Sequence, residues 1–82
     1  MNTLVKLLLS IKSESQAHDV LVSLFSPEEI QIFEKRISIV QHLIQGKPHR
    51  QISEELGVGI ATVTRAHKEL KLNHFKFLTK NS

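Results

Sequence analysis

An apolar period of about 3.6 residues runs through almost the whole chain, which leaves helix packing as its way to bury a core. Leu4, Leu7, Leu8 and Ile11 form a first stripe, with Thr3 in the position of a cap. Ser13-Glu14-Ser15 interrupts it, and Ser15 is placed to cap a second short helix with Ala17, Val20, Leu21 and Leu24 inward. Ser26-Pro27-Glu28-Glu29 is a clearer boundary: a capping box with proline at the first helical position, Phe25 and Ile30 standing where a hydrophobic staple would. The helix that follows should run to Ile44 or Gln45 on the stripe Ile30, Phe33, Ile37, Val40 and Ile44, until Gly46 and Pro48 end it. Ile32, Ile39 and Leu43 add a second apolar flank. A helix apolar on two sides is buried on two sides, and a second subunit is one source of that cover.

Three glycines, two prolines and no Trp or Tyr speak against a turn-rich β architecture. The expectation is all-α, roughly five or six short helices in a single domain over residues 1–82. With 82 residues, such a domain sits near the size at which a lone core is marginally stable. Cysteine is absent, which excludes disulfides and thiolate zinc sites and permits a reducing compartment. His18, His42, His49, His67 and His74 show neither HExxH nor a Cys/His spacing, so no metal site is expected. Oligomerisation remains as the aid to stability. The N-terminal apolar stretch is broken by Lys6 and Lys12 and is followed by no small-residue cleavage site, so it reads as part of the fold rather than a leader. No run approaches a membrane span in length. A cytoplasmic protein with no membrane partner is expected.

Charge is unevenly placed. The net +3 resolves into −1 over residues 1–46 and +4 over residues 47–82. A basic half on a small domain suits a polyanion, nucleic acid being the simplest, although a solvated basic face gives the same count.

That basic half carries the motif. From Lys47 to Arg65 the chain reads KPHRQISEELGVGIATVTR, a helix-turn-helix pattern. Ser53 is small where two helices must cross closely, and Gly57 sits at the turn, where a left-handed backbone costs glycine little. Ile52, Leu56 and Val63 form the apolar wedge between the helices. Ile60 to Leu70 is then the second helix, and Ile60, Ala61 and Thr62 at its start are small enough to approach base edges in a major groove. A plain helical hairpin with glycine at its corner has the same outline. No nucleophile motif, metal set or phosphate-cradling glycine loop is present, and an enzyme is not expected.

Ser26-Pro27-Glu28-Glu29, Arg36, the run Gly57 to Arg65 and Leu70-Lys71 together resemble the Trp repressor family over about residues 20–71. The resemblance implies an intertwined all-α homodimer, each half presenting a helix-turn-helix to half of a palindromic double-stranded operator. It implies L-tryptophan as co-repressor and no other cofactor. Arg36 and Arg65 fall where the family holds the indole between two guanidinium planes, with Arg65 also on the carboxylate. Planar guanidinium suits both jobs. Ser26 falls on a pocket threonine, and Ser23 and Phe25 fall where backbone carbonyls receive the ammonium. Arg50 matches a base-contacting arginine; Gly59, Ile60, Ala61, Thr62 and Thr64 match the start of the recognition helix; Lys68 and Lys71 are placed for phosphates.

The chain departs from the family pattern in two places. Ala66-His67-Lys68-Glu69 replaces Gly-Ser-Asn-Ser, so Ala66 sets a methyl group where the indole needs room and Glu69 replaces a pocket serine, where it could pair with an ammonium. The stretch from Gly46 to Gly57 is also one residue shorter than in tryptophan-binding repressors, as in Trp-repressor-like relatives with no established tryptophan response. Three readings follow: a tryptophan-gated repressor, a DNA-binding regulator without tryptophan control, and a dimerisation or protein-interaction module. Structural roles for the arginines stand beside these, with Arg36 pairing Glu29 or Glu34, and Arg65 meeting phosphate or a helix end.

Overall fold

The computed structural model describes residues 1–79. Six α-helices follow one another: α1 Asn2–Ser10, α2 Glu14–Leu24, α3 Pro27–Ile44, α4 His49–Leu56, α5 Ile60–Lys71 and α6 Lys76–Thr79. No strand occurs among the described residues, as the periodicity requires.

Caps decide where the early helices begin. Thr3 lies inside α1, which starts behind Met1 with no side-chain cap. Ser13, not Ser15, caps α2: its Oγ accepts the Gln16 N–H at 3.1 Å. Gln16 Oε1 in turn accepts the Lys12 N–H at 2.8 Å, so the serine and the glutamine three residues on satisfy two backbone donors between them. That reciprocal pair favours the earlier start. The box at α3 forms as the spacing requires, with Ser26 Oγ taking the Glu29 N–H at 3.1 Å and Glu29 Oε1 taking the Ser26 N–H at 2.9 Å.

The chain divides into two compact units, Met1–Gln31 and the residues from Ile32 onward. In the first unit no side chain is buried. Ala17 and Val20 are half-buried, whereas Leu21 and Leu24, expected inward, are 42% and 51% exposed. The second unit holds the core: Ile39, Val40, Ile52, Val63 and Ala66, with Leu43, Ile44, Leu56, Val58, Leu70, Phe75 and Leu78 packed against it. The two apolar stripes of α3 therefore do not face two different partners over this stretch. Ile39 and Leu43 from one and Val40 and Ile44 from the other are neighbours on the cylinder and form a single seam, while Ile32 and Ile37 at the stripes' edges stay exposed. Each fully buried Ile or Val of this core contributes about 1.5–3 kcal/mol.

Candidate functional site

Two helices and one glycine build the site. α4 ends on Gly57 at φ 65° and ψ 38°, a left-handed conformation that costs a side-chain-bearing residue roughly 1–2 kcal/mol. The reversal lets both Gly57 N–H and Val58 N–H reach the Ser53 carbonyl, the latter at 3.1 Å. Ser53 does more than keep the crossing narrow: its hydroxyl donates to the Val58 carbonyl at 2.5 Å, tying the corner from the other side. Ile52 and Val63 are fully buried across the corner and Leu56 packs on them, which is the expected wedge. The His49 and His67 rings meet at 4.9 Å between centroids, joining the start of α4 to the second half of α5.

Helix α5 presents three faces. Val63, Ala66 and Leu70 point into the core. Ile60, Ala61, Thr64, Lys68 and Lys71 are exposed, with Gly59 exposed at the helix start and Arg50 exposed on the first turn of α4. Thr62, Arg65, Ala66 and Glu69 line a cavity of about 610 Å3. Its opposite wall comes from α3, through Ile32, Lys35, Arg36 and Ile39. Arg36 and Arg65, far apart in sequence, thus border one space. Neither they nor Lys35 form an ion pair among the described residues, so the pairing of Arg36 with Glu29 or Glu34 is not made. Arg36 lies instead over the Phe33 ring, 6.0 Å from its centroid.

The remaining wall was not anticipated. After α5 the chain reverses through Asn73 at φ 66° and Phe75 at φ 60°, and this turn carries His74, Phe75 and Phe77 to the cavity. Glu69 is consequently engaged: its carboxylate meets His74 Nδ1, and the His74 N–H donates to the Glu69 carbonyl at 3.0 Å. The signal lay in Asn73, a residue tolerant of the left-handed region, followed by aromatic side chains. Ala66 is 8% exposed and belongs to both core and cavity wall, so its methyl group does occupy space there. Ser23, Phe25 and Ser26 belong to the first unit, where Ser26 spends its hydroxyl on the α3 cap.

A second polar cluster runs along α4 from Lys47, just before the helix, to Glu55 in its last turn. Lys47 Nζ reaches Glu55 Oε2 at 3.1 Å and Gln51 Nε2 reaches Oε1 at 2.8 Å. The Gln51 hydrogen bond first, then Lys47, hold the Glu55 carboxyl below the usual carboxylate range. His42 Nδ1 is buried 3.8 Å from Glu55, too far for a hydrogen bond.

The model of the Trp repressor protein family matches residues 1–79. The chain belongs to the Trp repressor family. Within that family it is 48% identical to the Trp operon repressor homolog of Vibrio vulnificus over 61 residues, which is 72% of this chain and 60% of that protein. The homolog of the same name in Vibrio cholerae is 45% identical over 60 residues, 71% of this chain and 58% of the other. That of Aliivibrio fischeri is 41% identical over 69 residues, covering 82% and 64%. The chain spans about three fifths of the length of these curated relatives. No solved structure is a significant match. Among the described residues no helix is long and apolar enough to cross a membrane, and no group of three metal-binding side chains occurs.

Proposed function

We propose that the chain is a sequence-specific DNA-binding transcriptional repressor, regulatory rather than enzymatic, which works in the cytoplasm as a homodimer on a palindromic operator. A small aromatic acid, L-tryptophan first among those to test, serves as co-repressor in the cavity. The observation that carries this reading is the division of α5: one face lines a cavity bordered by Arg36 and Arg65, and another is exposed with small residues at its start and lysines toward its end. The relatives' names as Trp operon repressor homologs support the repressor role. The unburied apolar side chains of α1 and α2 support a second copy.

In this scheme Arg50, Gly59, Ile60, Ala61 and Thr64 approach base edges while Lys68 and Lys71 neutralise phosphates, and Thr62, first expected among the base contacts, borders the cavity instead. A two-fold dimer would set its two α5 helices roughly 34–36 Å apart, in successive major grooves. A ligand filling the cavity holds α5 in the orientation that enters the groove, and its effect is bounded by its differential affinity for that orientation. Ala66 supports a second reading, a repressor indifferent to tryptophan, because its methyl group narrows the cavity.

Selection from a randomised duplex pool, followed by gel shift with and without L-tryptophan, tests both. Arg50→Ala should cost about 1–3 kcal/mol and relax sequence preference. Lys71→Ala should weaken all sequences alike and flatten the salt slope by about 0.9. If neither substitution alters affinity, DNA recognition by this helix-turn-helix is wrong. Retention of DNA with no response to millimolar tryptophan, in wild type and Ala66→Gly alike, would favour the second reading.

A further inference from the structure

We infer, on the reading of that cavity as a co-repressor site, that His74 is a specificity-determining residue: by holding Glu69 it turns the cavity toward aromatic carboxylates that lack an ammonium group. Three cations border the space, Lys35, Arg36 and Arg65, and none has a carboxylate partner among the described residues. Among the described residues that line the cavity, Glu69 is the one carboxylate. It is therefore the counter-ion to which a ligand ammonium would turn.

His74 takes that place. It is tied to Glu69 twice, through its ring to the carboxylate and through its backbone N–H to the carbonyl at 3.0 Å. Asn73 and Phe75 on either side of it hold left-handed backbone conformations, which for residues with side chains persist where the surroundings enforce them. Phe75 supplies that enforcement by packing on the core. The imidazole is thus placed by the fold. A ligand carboxylate meets three cations; a ligand ammonium meets the same three, with its counter-ion engaged. Phe75 and Phe77 give an aromatic ring an apolar wall in either case.

The chain contains no Trp or Tyr, so the fluorescence of an indole ligand can be followed against a dark protein. Titration of the full chain with indole-3-acetate, L-tryptophan and tryptamine reads the preference directly. Indole-3-acetate should bind about tenfold tighter than L-tryptophan, and tryptamine should show no saturation. His74→Ala frees Glu69 and should close most of that gap by improving L-tryptophan. Glu69→Gln, which leaves the backbone bond from the His74 N–H to the Glu69 carbonyl available, should widen it. Equal affinities in the wild type, or a ratio unmoved by both variants, would overturn the role of His74 while leaving the cavity as a ligand site. Failure of every indole carboxylate to bind would remove the ligand site itself and this role with it.

Discussion

The two units of the chain make their helices by different means. From Ile32 onward, five side chains are buried and each of α3, α4 and α5 contributes to them. Over Met1–Gln31 the starts of α2 and α3 are capped, Ser13 with Gln16 and Ser26 with Glu29, yet no side chain is fully buried, and Leu4, Val5, Leu8 and Leu9 are exposed. Caps choose where a helix begins, but short isolated helices are marginal in water whatever their ends. The first unit is therefore a set of helices whose starts are better specified than their packing, with most of their apolar side chains exposed.

The sharpest way to break this contrast is in the core. Ile52→Ala removes a fully buried wedge residue and should cost about 2–5 kcal/mol, read from the shift in urea midpoint at constant m. Next comes the exposed face of α1. If a second copy covers it, Leu8→Ser should cost about 1.5 kcal/mol or more and steepen the dependence of melting on protein concentration. An effect within about 0.5 kcal/mol, with concentration-independent melting, would leave that face bare. Ser26→Ala removes the reciprocal cap of α3 and should cost about 1 kcal/mol. The smallest effect belongs to Glu55. Its carboxyl is lowered from 4.5 in the folded chain, chiefly by Gln51 and then by Lys47, so its contribution is present above that value and disappears as pH falls through the lower folded one. Stability curves of wild type and Glu55→Gln should differ at neutral pH and converge on the acid side. Parallel curves would mean that the Gln51 and Lys47 contacts do not favour the charged form.

Much of this architecture was legible because short-range chemistry dictates it. Ser26 and Glu29 specify the α3 start by their spacing, and Gly57 specifies the corner by its backbone freedom. Two kinds of feature escaped. Periodicity counts stripes without saying where their boundary falls, so Ile39, placed on a second apolar flank, is 2% exposed in the same core as Val40. The course of the chain after a helix end is the other. The second helix could be bounded near Leu70, but the turn through Asn73 and Phe75 that brings His74 to Glu69 depends on where Phe75 can be buried, a tertiary matter. Arg36 and Arg65 were found through resemblance to a family; spacing along the chain carries no sign that they border one cavity.

The cavity wall is assembled from parts with unequal freedom to vary. Thr62, Arg65, Ala66 and Glu69 share a helix with the core and with the outward face, so a replacement among them disturbs three surfaces together. His74 and Phe77 touch the cavity from beyond the end of that helix and are largely exposed. The shape and charge of the cavity mouth can thus change through substitutions at His74 and Phe77 while the side chains of α5 that face outward stay as they are. On the proposed reading, sensing a ligand and reading a sequence would share one small domain and still evolve at separate rates.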